Sequence, residues 1–267
     1  LDDVKVNDPL FTYQGAVVDQ FLKRVKYGKY FRYLPTPSNL RYDSMVKEYR
    51  QFFRSLIETF KKNHSHRDDI ILYHLINGQY GERKLTELEI IDQIYTVIGA
   101  GYESTGALLH WFLYELSRKP HYIVKLREEL ETYGEEWNHE TISKCEFLQL
   151  CLQEILRLHS AFPLLGREVA EDLTLDDYQF PKGAFAFFTT GMMMTSSFWG
   201  SDPLEFRPER FLEPQIQAQY KEHFFPFGIG PRKCIGEKMA RTEIVIMLMR
   251  ILMKFDLELL PNQEIIP

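Results

Sequence analysis

The stretch Phe225-Pro-Phe-Gly-Ile-Gly-Pro-Arg-Lys-Cys-Ile-Gly-Glu237 decides how the rest of the chain is interpreted. It presents Cys234 between Gly230 and Gly236, and an apolar run with a helical pattern follows over residues 239–255. Glycine permits positive φ and a close approach of the backbone to a flat ligand. The N-terminus of the following helix and the basic residues beside the cysteine favour a thiolate, the form of cysteine that binds metals. A lone cysteine beside a turn is more often structural, so the residues at fixed spacing around it carry the argument.

The spacing Phe227-x-x-Gly230-x-Arg232-x-Cys234-x-Gly236 resembles the cysteine-ligand signature of the cytochrome P450 family at every fixed position. Five matching residues at fixed spacing are a strong signal. The resemblance implies the cytochrome P450 fold, mainly α with a small β region, and a haem b whose iron is bound by Cys234. A thiolate ligand pushes electron density toward cleavage of the O–O bond. The resemblance also implies that Phe227, Gly230 and Gly236 lie against the haem and that Arg232 binds a propionate.

Length and composition exclude several classes of protein. The 267 residues are 45% hydrophobic, enough for one substantial core in one or at most two domains. The formal net charge of −6 does not indicate nucleic-acid binding. Cys145 and Cys151 are six residues apart, which is neither a zinc spacing nor a disulfide framework. His64 and His66 lie in a polar stretch that predicts a solvated turn. No apolar run reaches the roughly 18 residues of a membrane span.

Residues 85–120 are predicted to form one long helix. A capping box, Thr86-x-x-Glu89, starts it, and Ser117-Arg-Lys-Pro120 ends it. Most of its faces are apolar, which predicts burial. Its centre, residues 99–106, nevertheless holds three glycines, a carboxylate and two hydroxyls. Polar groups in a buried, glycine-weakened helix indicate a functional site, whereas a helix crossing would explain the glycines but not Glu103.

The same segment resembles the oxygen-groove motif of the family, Ala-Gly-x-Asp/Glu-Thr-Thr/Ser. Ala100, Gly101 and Glu103 match the motif, Ser104 stands where the family has its catalytic threonine, and Thr105 follows. The resemblance implies that Glu103 and Ser104 relay protons, with the Thr105 hydroxyl beside them. A serine donates the same hydrogen bond as a threonine, although its rotamer is less restricted.

Two further helices are predicted after the central one. The first, over residues 120–134, has a charged side at Lys125–Glu129 and is interpreted as a surface helix. The second, over residues 145–159, places Glu154 and Arg157 three residues apart on one face. Such a pair is usually exposed, but the leucines and isoleucines around it are consistent with burial, where an unpaired charge would be costly.

Two later stretches also resemble the family. Pro208-Glu-Arg-Phe211 supplies Arg210, which the resemblance assigns as the third member of a trio with Glu154 and Arg157. In the family this trio locks the segment that leads into the cysteine loop. Residues 198–206 resemble the meander that precedes the loop.

A β-rich zone is predicted between these motifs. Residues 172–183 alternate and then turn, and a second strand pattern covers residues 185–189. Arg167 resembles the arginine that binds a haem propionate in family members, a natural role for a guanidinium, and an exposed strand arginine is the equally weighted alternative. The candidate residues for the substrate pocket are Tyr95, Tyr102, Phe162 and Leu165.

The resemblance extends from about Leu85 to Leu260 and is to the C-terminal half of a eukaryotic, microsomal-like member. Residues 1–84 are expected to form helices that roof the substrate pocket. Residues 85–267 are expected to form the haem-binding core: the central helix, the Glu-x-x-Arg helix, the β region, the meander, the cysteine loop and the helix after it. The family members are considerably longer and the chain begins at Leu1, so it is expected to be an N-terminally truncated fragment.

The implied function is that of a monooxygenase that inserts one oxygen atom from O2 into an apolar substrate such as a lipid, sterol or xenobiotic. Electrons would come from NADPH through a reductase, with cytochrome b5 as a further partner. Lys233, Lys238 and Arg241 form the candidate docking patch. The complete protein is expected at the cytosolic face of the endoplasmic reticulum membrane, held there only by the missing N-terminal part, because this chain has no anchor.

Two alternative functions stay open. A haem-thiolate isomerase or dehydratase that rearranges peroxides needs no reductase, and the retained Glu103 and Ser104 argue against it. An inactive fragment that acts as a structural or binding module is the alternative from a different class of protein.

Overall fold

The structure is a computed structural model that describes residues 9–63, 67–79, 81–134 and 139–261. The predicted mainly α fold with a small β region is confirmed, since helix accounts for 65% of the structure and strand for 6%. The histidine pair at positions 64 and 66 lies outside the described residues. Within the described residues, no helix combines the length and apolar character that a membrane crossing requires.

The helices are α1 (Pro9–Tyr27), α2 (Pro37–Asn63), α3 (Ile71–Asn77), α4 (Glu87–Arg118), α5 (Pro120–Glu131), α6 (His139–Lys144), α7 (Glu146–Leu158), α8 (Thr190–Met194), α9 (Pro214–His223) and α10 (Glu237–Leu252). The strands are β1 (Leu165–Glu168), β2 (Leu173–Leu175), β3 (Tyr178–Phe180) and β4 (Phe185–Phe188). The predicted central helix, its two successors and the helix after the cysteine loop correspond to α4, α5, α7 and α10.

The start of α4 is the capping box that the sequence predicts. The backbone N–H and the hydroxyl of Thr86 donate to Glu89 Oε2 at 2.8 and 2.9 Å, and the Glu89 N–H donates to Thr86 Oγ1 at 3.3 Å. Arg83 adds two hydrogen bonds to the same carboxylate. The bonds from Arg83 and Thr86 lower the pKa of Glu89 to about 2.

The chain forms two compact units, Leu1–Tyr102 and Glu103–Pro267, with the division inside α4. The roles expected of residues 1–84, as a roof, and of residues 85–267, as the haem-binding core, stay predictions. The first unit has an aromatic core. The rings of Tyr13 and Tyr49 stack at 4.3 Å, and Tyr95 meets both of them edge-on at 5.2 and 5.0 Å. Tyr49, Phe53, Ile57 and Phe60 form the buried stripe of α2, with the spacing expected of an amphipathic helix.

The core of the second unit surrounds α7. Its apolar side chains pack with those of α4, α5 and α10, and the fully buried members include Phe112, Leu116, Leu126, Leu130, Leu148, Leu152, Ile155, Ile244 and Leu248. Each such side chain contributes about 1.5–3 kcal/mol relative to exposure. The burial of α7 on most faces removes Glu154 and Arg157 from solvent as well.

The charged side of α5 is not merely a solvated surface, because it caps two other helices. Glu129 accepts hydrogen bonds from the backbone N–H groups of Phe147 and Leu148, in the first turn of α7, at 2.7 and 2.9 Å. Arg127 donates to the carbonyls of Leu252 and Phe255, at and just after the end of α10, both at 2.8 Å. A carboxylate at a helix N-terminus and a cation at a C-terminus both complement the helix dipole.

The β region consists of two antiparallel pairs. β1 pairs with β4, with Arg167 opposite Ala186, and β2 pairs with β3. Asp176, in the turn between β2 and β3, has φ of 49°, a conformation that aspartate tolerates better than most residues. The predicted strand over residues 185–189 corresponds to β4.

Candidate active site

The cysteine loop is held by its own backbone. The N–H of Cys234 donates to the carbonyl of Phe227 at 2.9 Å, and the N–H of Gly228 donates to Phe225 at 3.0 Å. Gly228 and Gly230 have φ of 72° and 70°, a region that side chains other than glycine rarely adopt. The glycines at these positions are therefore required by the shape of the loop, which places Cys234 just before α10.

Cys234 is the accessible thiol of the chain. It is exposed, whereas Cys145 and Cys151 are buried in the core. Burial, reinforced by Glu129, raises the pKa of Cys145 to about 11, and burial raises the pKa of Cys151 well above its ordinary value. Both core thiols are therefore protonated at neutral pH, and only Cys234 is available as a ligand.

The residues assigned to the haem have the chemistry that a flat group with acidic side arms requires. A Cβ at Gly230 would meet no atom within 4 Å in the described part of the chain, so a planar ligand could approach the backbone there. Arg232 and Arg167 are both exposed, and Arg167 donates to its neighbour's carbonyl at 2.8 Å. One accessible thiol and two available guanidiniums match the iron and the propionates of a haem. The propionate roles of the two arginines stay predictions, because Arg167 is also an exposed strand residue.

The basic residues beside the loop are partly neutralised. Lys233 and Arg241 both pair with Glu237, at 2.5 and 3.1 Å. Burial alone would raise the pKa of Glu237, but the hydrogen bonds from these two side chains outweigh it and lower the pKa. Arg241 also lies over the ring of Phe227, 5.0 Å from its centroid. Lys238 is exposed, and the docking patch stays a prediction.

Within the second unit, the predicted proton-relay residues are accessible to different degrees. Glu103 is exposed, Ser104 is half-buried, and Thr105 is only 6% exposed. A Cβ at Gly106 would meet nothing within 4 Å among the described residues, so no close helix crossing explains this glycine there. Their roles in proton transfer stay predictions.

The four candidate pocket residues fall into both units. In the first unit, Tyr95 packs in the aromatic core with Tyr13 and Tyr49, and Tyr102 is half-buried. In the second unit, Phe162 is 61% exposed. Leu165 lies beside the cysteine loop, with Cδ1 3.7 Å from the position of a Cβ on Gly228. A place in a substrate pocket stays a prediction for all four.

Glu154 and Arg157 form a fully buried ion pair. Arg157 donates from Nε to Glu154 Oε2 at 2.8 Å and from Nη2 to Oε1 at 2.9 Å, and both side chains are 0% exposed. The third guanidinium nitrogen donates to the carbonyls of Met194 and Pro203, at 2.6 and 2.8 Å. The pair is therefore not the surface pair that the spacing alone usually indicates.

Arg210 joins this pair to the segment before the cysteine loop. Its Nε donates to Glu154 Oε1 at 2.8 Å, and its other nitrogens donate to the carbonyls of Trp199, Asp202 and Glu205. A buried guanidinium with every nitrogen hydrogen-bonded holds the backbone of residues 199–205 to α7.

Arg207 is a member of this network that the sequence interpretation missed. Its backbone N–H donates to Glu154 Oε1 at 2.9 Å, and its side chain bridges Asp202 and Glu213 at 2.8 and 2.5 Å. The hydrogen bond from Arg207 lowers the pKa of Asp202. The sequence signal for this role is an arginine directly before Pro208 with acidic residues nearby on both sides.

Comparison with known proteins agrees with this geometry. The sequence matches the family model described as "Cytochrome P450" over residues 10–267. It is 31% identical to Cytochrome P450 CYP72A616 of Paris polyphylla, over 97% of this chain and 53% of the relative. It is 29% identical to Pentalenene oxygenase of Streptomyces avermitilis, over 88% of this chain and 53% of the relative. The chain thus spans about half the length of these curated relatives.

A solved structure shows the same fold. The crystal structure of a cytochrome P450 (CYP102L1) superposes with a TM-score of 0.83 at 25% identity, covering 97% of this chain and 61% of that one. The matched family model agrees with the buried trio of Glu154, Arg157 and Arg210 and with the exposed cysteine in its glycine loop. The chain belongs to the cytochrome P450 family.

Proposed function

We propose that the complete protein is a haem-thiolate monooxygenase that inserts one oxygen atom from O2 into an apolar organic substrate. The supporting observation is Cys234, an exposed thiol on a backbone-pinned loop at the start of α10. The proposal concerns the complete protein because this chain spans about half the length of the relatives that it matches. A bound haem would supply the oxygen-activating chemistry, and its reactivity depends on an anionic sulfur ligand.

The residues of the loop would hold the cofactor. Cys234 would bind the iron as a thiolate, the form of cysteine that binds metals. Phe227, Gly230 and Gly236 would lie against the ring, and the Arg232 and Arg167 guanidiniums would bind the propionates. Each of these residues is either exposed or half-buried, as a contact with a large ligand requires.

The centre of α4 would deliver protons. Ser104 would donate from its hydroxyl and Glu103 would resupply the proton from solvent, with the buried Thr105 hydroxyl as a second donor. The exposed carboxylate and half-buried hydroxyl fit this order, because a relay needs one end in contact with water.

Substrate and partners follow from the same assignment. In the second unit, Phe162 and Leu165 would contribute to a pocket for a lipid, sterol or xenobiotic, and one relative is named as an oxygenase of pentalenene. Electrons would come from NADPH through a reductase, or through cytochrome b5, at the endoplasmic reticulum membrane. Lys233 and Lys238, the exposed members of the basic patch, would contact the partner first.

Peroxide-rearranging chemistry without a reductase is the second candidate, and an inactive binding module is the third. Dependence of turnover on NADPH and a reductase separates the first two. Absence of haem from the complete protein would favour the module.

The test is the carbon monoxide spectrum of the reduced complete protein. An anionic sulfur ligand moves the Soret band well to the red of the position that a neutral imidazole gives. Cys234→His should abolish the shifted band, while Cys145→Ala and Cys151→Ala should leave it, because those thiols are buried in the core. A red-shifted band that survives in Cys234→His would overturn the proposal.

A further inference from the structure

A side-chain cluster fixes the end of α7. The chain leaves the helix at His159, whose φ and ψ are −120° and 58°. The imidazole stacks on the ring of Trp111, with centroids 4.3 Å apart and planes 7° from parallel. Its Nε2 lies 2.9 Å from Oε1 of Glu115. His159 is thus held both by a stacked ring and by a carboxylate from α4.

The carboxylate depends on this contact. The Glu115 side chain is 4% exposed, and a buried carboxylate without a hydrogen-bond donor is strongly disfavoured. Its second oxygen lies 3.5 Å from Nη1 of Arg118, whose side chain is 44% exposed, so that contact is long and open to water. His159 is therefore the principal partner of Glu115, and the position of the imidazole is closely constrained.

The segment after His159 is fixed at its other end by α8. The Thr190 hydroxyl donates to the carbonyl of Phe162, and the Gly191 N–H donates to the carbonyl of Pro163, both at 3.0 Å. A Cβ on Gly191 would lie 2.7 Å from Cβ of Pro163, a separation that real Cβ atoms do not show. Only residues 160 and 161 lie between the two attachments.

This segment leads directly to the cysteine loop. Leu165 follows two residues after Pro163, and its Cδ1 lies 3.7 Å from the Cβ position of Gly228. A shift at His159 would therefore displace the residues that stand beside the loop of Cys234.

We infer that Glu115, His159 and Trp111 are positioning residues that fix segment 159–165 beside the cysteine loop and so set the space available to a ligand there. The inference rests on the proposed function, since it concerns ligands of a haem bound to Cys234. None of the three needs to touch the ligand. Their effect is to keep the segment in one position before the ligand binds.

The test variant removes both members of the polar contact. His159→Phe alone keeps a ring on Trp111 but leaves the Glu115 carboxylate buried without its donor, so it is expected to be unstable. Glu115→Leu combined with His159→Phe replaces both partners by apolar groups and should fold. The matched control is His121→Phe, because His121 is exposed and its ring also lies close to an aromatic neighbour, 4.1 Å from Tyr122.

The readout is the affinity for two azole probes of different size, measured in the complete haem-loaded protein by their difference spectra. Imidazole is too small to reach beyond the immediate surroundings of the iron, whereas 4-phenylimidazole extends into the neighbouring space. If the segment must become ordered during binding, the affinity for the larger probe falls by about threefold to tenfold. We expect that loss for 4-phenylimidazole in the double variant, an unchanged Kd for imidazole, and no change in His121→Phe.

The possible outcomes separate cleanly. Equal affinities for the larger probe in the double variant and the wild type would overturn the inference, and so would an equal loss for both probes, which would indicate general disruption. A wild-type protein that lacks the red-shifted carbon monoxide band would overturn the proposed function first, and the inference with it. A selective loss accompanied by an intact band and an unchanged melting temperature would establish the positioning role.

Discussion

Arg210 donates a hydrogen bond from Nε to Oε1 of Glu154 at 2.8 Å, across 56 residues of sequence, and neither side chain has any exposed surface. The same carboxylate accepts two hydrogen bonds from Arg157. Two guanidiniums therefore share one buried carboxylate. The surplus positive charge is met by backbone carbonyls and by Asp202, whose Oδ1 lies 3.3 Å from Nη1 of Arg210. This arrangement ties the meander before the cysteine loop to α7.

Glu154→Gln and Arg157→Leu should each destabilise the protein and prevent stable haem incorporation. Removal of one partner of a buried ion pair costs about 3–5 kcal/mol, a large share of a total stability of roughly 5–15 kcal/mol. Haem content and the denaturation midpoint of the complete protein measure the effect.

The matched control is Lys144→Met, which breaks an exposed pair with Glu140 at 2.8 Å. Exposed pairs contribute about 0–1 kcal/mol, so this variant should resemble the wild type. Wild-type haem yield and melting in both Glu154→Gln and Arg157→Leu would contradict the structural role of the trio.

The three cysteines should react with iodoacetamide at very different rates. At pH 8 and without haem, Cys234 should be labelled first, because it is exposed while Cys145 and Cys151 are buried and protonated. Haem should then protect Cys234 selectively. Peptide mass spectrometry measures the order, and faster labelling of either core cysteine in the folded protein would contradict it.

The raised pKa of Cys145 also predicts a dependence of stability on alkaline pH. Its pKa is about 11 in the folded state and 9.0 for an ordinary thiol, so the unfolded chain loses this proton first. The contribution of the protonated Cys145 thiol to the free energy of unfolding is therefore complete below pH 9, and it is lost as the pH rises toward 11. Urea midpoints should fall more steeply over this range in the wild type than in Cys145→Ala, and parallel curves would count against burial of the thiol.

Ser104→Ala should retain haem and substrate binding but release more of the consumed electrons as peroxide or water. The half-buried hydroxyl beside Glu103 is the proposed proton donor, and its loss leaves oxygen activation incomplete. Product formed per NADPH consumed is the measurement. An unchanged ratio would assign the proton transfer to Thr105 or to water, which Thr105→Val would then distinguish.

The start of α4 should fray in acid. The pKa of Glu89 is held at about 2, below its ordinary 4.5, by Arg83 and Thr86. The capping interaction is therefore complete above about pH 4.5 and is lost as the pH falls through 2. NMR titration of the Glu89 carboxyl and amide exchange of residues 87–90 would show this, and Glu89→Gln should remove the pH dependence. A titration midpoint near 4.5 would contradict the geometry.

Local features of this chain were determined by the sequence itself. The cysteine loop depends on glycines at fixed spacing, and the start of α4 depends on the Thr86–Glu89 box, because both involve residues within a few positions of one another. Helix periodicity likewise located α4, α5, α7 and α10, since an apolar stripe recurs along one short segment. The match to the family signature rested on these local patterns.

Only the tertiary structure decided which polar groups are buried and what they contact. The Glu154–Arg157 spacing is the same in a surface pair and in a buried one, and the apolar faces of α4, α5 and α10 around α7 made the difference. Glu129 and His159 gained their partners across 18 and 44 residues of sequence. No local pattern specifies such contacts, because the free energy of burying a charge depends on groups that approach it only when the whole unit has folded.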